Sequence, residues 1–299
     1  MTPFFSIIIP TYNRAEMIGA TIESILAQDY PYFEVLVIDD GSTDDTETTV
    51  RQYNASKVIY HRIDRGERST ARNHGTRLAK GDYINWFDSD DIMLPGHLEQ
   101  LKKIIQTENS PPLIGVAYEM EKDGEGIVYR EKYPAKQINQ FLVSKNYMLT
   151  MTGIVRRDIA LNYPFNTKIN FLEDYELWLR IAAEHPVISS NYVTVRVREH
   201  QSNSTLFTRE TVRDYIRGID EFIKEVKGNS KVCRFIDGKM SLFRMNLYIR
   251  GAYFLSHCGL KTMPVRLLFR SIRSNPVILL NKGFYATIKQ LLFRSRTLK

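Results

Sequence analysis

Three aspartates fall within four positions in Asp88-Ser89-Asp90-Asp91, directly after the mostly apolar run Tyr83-Ile84-Asn85-Trp86-Phe87. In a closed core these carboxylates would repel one another; around a divalent cation they would not. Hard oxygen donors at this spacing suit Mg²⁺ or Mn²⁺, cations that keep water and substrate phosphates in their shell. Helix capping accounts for one aspartate, with Asp91 the natural choice, and leaves two. Two further polar clusters follow apolar runs, Pro10-Thr11-Tyr12-Asn13-Arg14 and Asp39-Asp40-Gly41-Ser42-Thr43-Asp44. Ser42 to Asp45 can either cap a helix or touch a ligand. Asp39, at a strand end, can accept hydrogen bonds from a nucleobase or ribose.

Such residues act only if the fold brings them together. Phe4 to Ile9 and Phe33 to Ile38 are short apolar runs rich in β-branched residues, and Val58 to Tyr60 and Asp82 to Phe87 are further strand candidates. Between them, Ala15 to Gln28, Thr43 to Tyr53 and Ser69 to Ala79 carry helical patterns, the first with Met17, Ile18, Ile22, Ile25 and Leu26 on one face. Gly81 stands where a left-handed helix cap is expected, and Pro95 opens a further helix through Ile105. This alternation predicts an α/β fold: a mostly parallel sheet with right-handed crossovers and helices on both faces. Ligands of such a sheet sit beyond the carboxyl ends of its strands, where all three polar clusters fall.

The pattern loosens from Ser110 to Asn170. Leu113 to Tyr118 and Gly153 to Val155 read as strands, and Glu119 to Arg130 as a charged hairpin or loop. Asp174 to His185 is helical and Val193 to Val197 alternates as a strand. After Thr208 nearly everything reads as helix: Arg209 to Lys227, Lys231 to His257, Val265 to Ser274 and Phe284 to Phe293. A boundary near residue 205 divides an α/β domain, 1–205, from a helical basic region, 206–299. Trp86 and Trp178 read as core and pocket wall rather than as stacking platforms for a ligand.

Composition narrows the class. A chain of 299 residues with 43% apolar and 25% charged residues can bury a sizeable core. No run of about 18 apolar residues predicts a spanning helix, and strand signals that begin at Phe4 leave no leader to expect. Cys233 and Cys258 lie far apart and match no metal spacing, so reduced thiols in a cytoplasmic protein are the plain expectation. Gly124-Glu125-Gly126 lacks a third glycine and no Gly-Lys-Ser/Thr follows a glycine-rich loop, which weighs against dehydrogenases and P-loop enzymes. A diphosphate would then be held by metal and basic side chains. Arg65, Arg68 and Arg72 are candidates, with solvated charges on a helix as the alternative.

The segments "FSIIIPTYNR", "VLVIDDGSTDDT", "ARNHGTRLAKGDYINWFDSDD" and "FLEDYELWLR" together resemble a family 2 glycosyltransferase of the GT-A fold, in order and spacing, from Phe5 to Ser204. The resemblance implies an inverting, nucleotide-sugar-dependent enzyme, with donor binding within about 1–110 and the acceptor side within about 111–205. Pro10, Thr11, Tyr12, Asn13 and Asp39 match positions that hold the base and ribose of a donor, usually UDP-linked. Arg68 lies where such enzymes often place a basic donor contact. Asp88, Ser89 and Asp90 match the Asp-x-Asp motif, with Asp90 ligating Mn²⁺ or Mg²⁺, Asp88 beside it and Asp91 as a substitute. The family's general base corresponds to Asp174, with Glu173 the second choice. Inverting transfer needs one base for the acceptor hydroxyl proton and charge stabilisation for the departing diphosphate. A helix start, where acidic residues meet the dipole favourably, is the competing account of Glu173-Asp174. Thr152-Gly153 resembles the segment shaping the acceptor side, or is an ordinary turn into a strand. Arg198 to Ser204 resembles a late loop that closes over the diphosphate, making His200 either a metal or phosphate ligand or a solvated side chain.

Two competing readings make contrary predictions. A nucleotidyltransferase predicts a glycine-rich basic loop after the first strand, which Pro10-Thr11-Tyr12-Asn13 is not. An inactive sugar- or nucleotide-binding module would more plausibly lack Asp90 or Glu173-Asp174, and all are present.

The net charge of +7 is unevenly spread. From Lys261 to Lys299 there are nine Lys or Arg and no Asp or Glu, leaving −2 for the rest of the chain. Cations interleave with large apolar residues in Val265 to Arg273 and again in Lys289 to Lys299. Such a tail can lie on an anionic membrane or pack as a basic hairpin on the catalytic domain. Nucleic acid ranks third, because no recognition motif accompanies the charge. The expected partners are therefore a nucleotide-sugar donor, a glycan or lipid-linked acceptor and an anionic membrane, at the cytoplasmic face of the inner membrane.

Overall fold

The computed structural model describes residues 2–53, 56–199, 209–257, 262–280 and 282–293. Elements follow one another as β1 (Phe5–Thr11), α1 (Ile18–Leu26), β2 (Phe33–Asp39), α2 (Thr46–Val50), β3 (Val58–Arg62), α3 (Glu67–Leu78) and β4 (Tyr83–Trp86). Next come β5 (Ile92–Met93), α4 (His97–Thr107), β6 (Leu113–Lys122), β7 (Gly126–Arg130), α5 (Asn139–Leu142) and β8 (Gly153–Arg156). Then follow α6 (Arg157–Asn162), α7 (Glu173–Ala182) and β9 (Val187–Glu199), and after them the helices α8 (Arg209–Gly228), α9 (Ser230–Phe235), α10 (Met240–His257), α11 (Thr262–Ser274) and α12 (Lys282–Phe293).

The chain divides into two compact units. The first holds Met1–Asn139, Tyr147–Lys168 and Glu173–Gln201; the second holds Gln140–Asn146, Ile169–Leu172 and Ser202–Lys299. All described strands lie in the first, in one mixed sheet of order β3-β2-β1-β4-β8-β6-β9-β5, with β7 paired to β6. The pairings make β1, β2, β3, β4, β6 and β9 mutually parallel, while β8 runs against both neighbours. The sheet is therefore mostly parallel, as its β-α alternation predicts, with one reversed strand inserted at its middle. Every residue of β1 and β2 is buried, as expected where both sheet faces are covered. Phe5, Ile7 and Ile9 of β1 join Ile18, Ile22 and Ile25 of α1 in one core, while α3 packs on the other face.

Local signals departed from these elements in instructive ways. Pro10 and Thr11 finish β1 instead of starting its loop. The helix expected over Thr43 to Tyr53 shortens to five residues; ahead of it Ser42 and Asp44 accept Asn13 and Ala15 N–H from the neighbouring loop, and Asp44 also accepts Thr46 N–H. The helix before β4 ends at Leu78, and Gly81 is needed for proximity: its N–H donates to Ser6 Oγ at 2.8 Å, and a Cβ there would lie 2.5 Å from Ser6 N. Pro95 precedes the left-handed Gly96, which caps α4, so the helix starts later than the proline suggested. The two-residue β5, which pairs antiparallel with β9, carries no sequence signature of its own. In the second unit the helix expected over Lys231 to His257 is two, α9 and α10, separated by a turn at Asp237-Gly238.

Candidate active site

Parallel pairing sets Thr11 opposite Asp39, so the loops leaving β1 and β2 begin side by side. They are laced together. Asp40 N–H donates to the Thr11 carbonyl at 2.9 Å, Asn13 N–H to Ser42 Oγ at 2.9 Å, and Thr43 N–H to Asn13 Oδ1 at 2.8 Å. Arg14 N–H donates to Thr46 Oγ1 at 2.9 Å. Asn13 takes φ 50°, a left-handed conformation that asparagine tolerates better than most side chains. Tyr12 is exposed, with the Arg65 guanidinium 3.3 Å from its ring centroid. Asp39 is fully buried. Its Oδ1 accepts Ser42 N–H at 2.7 Å and its Oδ2 accepts the Tyr60 hydroxyl at 2.5 Å. In this conformation Asp39 forms the floor beneath the loops, its oxygens bonded to protein.

The acidic loop after β4 lies at the same end of the sheet. Asp88 Oδ1 accepts Arg72 Nη2 at 2.9 Å, and Asp90 Oδ2 stands 3.9 Å from Arg14 Nε. Ser89 and Asp91 are buried. The capping role considered for Asp91 does not survive: β5, not a helix, starts at Ile92. Asp91 Oδ1 instead accepts Arg198 N–H at 3.0 Å, fastening the acidic loop to β9, and Arg198 Nε donates to the Asp90 carbonyl at 2.6 Å. Burial drives the Asp91 carboxyl well above the usual carboxylate range, with the charges of Asp90 and Asp88 adding to the shift.

Glu173 and Asp174 open α7. Glu173 is clamped by two arginines, Arg68 Nε at 2.7 Å and Arg72 Nη1 at 3.0 Å. Arg72 is itself buried, so one guanidinium joins Asp88 to Glu173. This modifies the expectation for the arginines: Arg68 and Arg72 hold the acidic motifs in register, while Arg65 covers Tyr12. The i, i+4 spacing of Arg68 and Arg72 on α3, which places both on one helix face, was the signal available in the sequence for this pairing. Asp174 is half-buried and accepts its neighbour Tyr175 N–H at 2.6 Å. Burial first, and then the negative charge of Glu173, push its carboxyl up to about 7, against the lowering effect of the Tyr175 N–H, Arg72 and Arg68. Leu172, directly before the pair, takes φ 62°, an uncommon state for a leucine and one that clusters at functional sites.

The reversed direction of β8 brings Thr152-Gly153 to this end of the sheet, since Ile154 pairs with Asn85. Both residues are buried there. Thr152 Oγ1 donates to the Leu149 carbonyl at 2.9 Å, and a Cβ on Gly153 would sit 2.5 Å from the Trp178 ring. In the structure Gly153 makes room for a core indole, and Trp178 and Trp86 are both core residues. His200 lies outside the described residues.

For a divalent cation the donor chemistry fits. Asp88 and Asp90 offer hard oxygens on side chains 32% and 21% exposed, so each keeps one side toward solvent. Among the described residues no three His, Cys, Asp or Glu side chains converge, so substrate oxygens and water would complete the shell. A separate cavity of 350 Å³, lined by Lys80, Asp82, Tyr83 and Arg156 among others, opens at the amino end of β4, away from these groups.

Residues 6–163 match the family model described as glycosyl transferase family 2. A glycosyltransferase of Rickettsia typhi is 26% identical over 269 residues, 84% of this chain and 83% of that protein. The UDP-Glc:alpha-D-GlcNAc-diphosphoundecaprenol beta-1,3-glucosyltransferase WfgD of Escherichia coli is 32% identical over 206 residues, 66% of this chain and 78% of that protein. In fold the chain is similar to S. aureus TarS in complex with UDP-GlcNAc, with TM-score 0.68 and 17% identity over 97% of this chain and 88% of that one. It is also similar to the mannosyltransferase PcManGT of Pyrobaculum calidifontis in complex with GDP-Man and Mn²⁺, with TM-score 0.61 and 16% identity over 98% of this chain and 88% of that one.

Proposed function

This chain belongs to glycosyl transferase family 2 and is a nucleotide-sugar-dependent glycosyltransferase, and we propose that it transfers with inversion from a UDP-linked donor, using Asp174 as its base. The observation that carries the reading is the Asp88–Arg72–Glu173 bridge, which joins the donor-side acidic loop to the base motif through one buried guanidinium. Glu173 is already engaged by Arg68 and Arg72. Asp174, pushed up to about 7, is matched to general-base work near neutrality. The UDP-linked donor of the Escherichia coli relative supports a uridine nucleotide here.

The acceptor is a hydroxyl of a glycan or lipid-linked glycan in surface polysaccharide synthesis, reached at the cytoplasmic face of a membrane. As that oxygen attacks the anomeric carbon, its proton passes to an Asp174 carboxylate oxygen. The bond from the anomeric carbon to the nucleoside diphosphate breaks on the opposite face. Tyr12, Asn13 and the laced loops, floored by Asp39, receive base and ribose; Arg65, over the Tyr12 ring, is a basic side chain beside that cleft. Asp90 and Asp88 would hold Mn²⁺ or Mg²⁺, which when bound supplies charge neutralisation to the departing diphosphate.

The test separates donor binding from transfer. UDP-sugars, GDP-sugars and dTDP-sugars are screened by thermal shift with Mn²⁺ or Mg²⁺, since a ligand bound only to the folded state raises the midpoint. Asp90→Asn is expected to lose the metal-dependent shift. Asp174→Asn is expected to keep it and to lose transfer. Retained transfer by Asp174→Asn would remove Asp174 as the base.

A further inference from the structure

Helix α11 carries large apolar residues on both of its sides. Pro264, Leu267, Leu268 and Ser271 are buried, and the helix packs on α10. On the other side, at helical spacing, Val265, Arg266, Phe269, Arg270 and Arg273 all face solvent. Phe269 is 63% exposed and Val277, in the 3₁₀ turn Pro276–Leu280 that follows, is 59% exposed. Leu279 and, on α12, Tyr285 are exposed as well. A helix face turned to water is ordinarily polar, and large apolar groups gathered on one surface mark an interaction site.

The charge that this segment itself supplies has one sign. Residues 262–293 carry five Lys or Arg and no acid. Arg270 is spent on Asp220 of α8, donating to both carboxylate oxygens at 2.9 Å. Arg266, Arg273, Lys282 and Lys289 remain as exposed cations around the apolar groups. A second copy would bring like charges together, and a nucleic acid could stack on Phe269 or Tyr285 but would leave the exposed aliphatic Val265, Val277 and Leu279 without an apolar partner. Apolar side chains ringed by cations instead complement a bilayer whose surface is anionic and whose interior is hydrocarbon. No described helix is long and apolar enough to cross a membrane.

We infer that the outer face of α11, the turn after it and the start of α12 dock on an anionic lipid surface. Phe269, Val277 and Leu279 enter the boundary between headgroups and acyl chains, and Arg266, Arg273 and Lys282 meet lipid phosphates. Docking itself stands apart from the reaction assigned above; only its use, holding the enzyme near a lipid-linked acceptor, rests on that reading.

Full-length protein is floated with phosphatidylcholine vesicles, with and without phosphatidylglycerol, beside the variants Phe269→Gln/Val277→Gln and Arg266→Gln/Arg273→Gln. These positions are exposed, and circular dichroism and the UDP thermal shift check that each variant folds and keeps its donor site. Binding is expected only with phosphatidylglycerol and is expected to weaken as salt rises. It should fall roughly five-fold for each cation removed and be largely lost in the apolar variant. Equal binding to neutral vesicles, no binding to either, or no change in both variants overturns the proposal. So does loss of self-association or of RNA binding in the variants without any effect on vesicles. Donor binding is read separately, so failure of docking and failure of the glycosyltransfer reading are distinguishable.

Discussion

Arg72 and Glu173 form a 3.0 Å ion pair in which the side chains are only 3% and 7% exposed. They lie on different helices, α3 and α7, and the other arm of the same guanidinium holds Asp88. A pair this buried is weak evidence for stability, because desolvation offsets the attraction, but it constrains where both acidic motifs stand.

Removing one partner leaves the other with a single counterion, Arg68 for Glu173 or Asp88 for Arg72, so the cost falls below the about 3–5 kcal/mol of a fully orphaned buried charge. Arg72→Met and Glu173→Gln are each expected to lower the urea midpoint accordingly. The double variant Arg72→Met/Glu173→Leu should recover part of the stability without recovering transfer. Recovery of both would mean that the bridge serves stability alone.

The base must be ionised to accept a proton, and the Asp174 carboxyl sits at about 7. The kcat/KM for transfer is therefore expected to rise with pH, about tenfold per unit at first, and to level off above about 7. A pH profile already flat from pH 5 would place the base elsewhere.

The same shift has a cost in stability. The folded carboxyl titrates above its ordinary value of 3.8, so between that value and about 7 the folded protein binds more protons than the unfolded chain. Stability from this group is highest below 3.8 and declines as pH rises through that window. Asp174→Asn is thus expected to melt at higher temperature than the parent protein at pH 8, with the gain shrinking toward pH 4. Thermal melts across that range check the sign.

A methyl group at residue 153 would meet the buried Trp178 ring at 2.5 Å. Gly153→Ala should lower stability by about 1–3 kcal/mol, as overpacking does, while leaving UDP binding intact. An unchanged melting temperature with altered acceptor choice would favour the acceptor-side role of Thr152-Gly153 over a packing role.

Much of the first unit was legible because its signals are local. Strands β1 and β2 are buried on both faces, so they read as continuous apolar runs, and the polar clusters had to follow at their carboxyl ends. The direction of β8 was not legible, since Gly153-Ile154-Val155 is equally apolar read either way and only pairing with β4 and β6 orients it. Nor did Asp91 announce its partner. Its hydrogen bond to Arg198 spans 107 positions and exists only because β5 and β9 pair.

By itself, then, the chain's order of residues determined the chemistry on offer: hard carboxylates after β4, an acidic pair at the start of α7, and a tail of cations set among apolar groups. Tertiary structure decided the allocation. It buried Arg72 between two acidic motifs, turned Asp39 and Asp91 inward as fastenings, and left Asp174 with its carboxyl raised to about 7. The reason is physical: a residue's type sets what it can donate or accept, but its charge state and accessibility depend on neighbours that only long-range packing supplies.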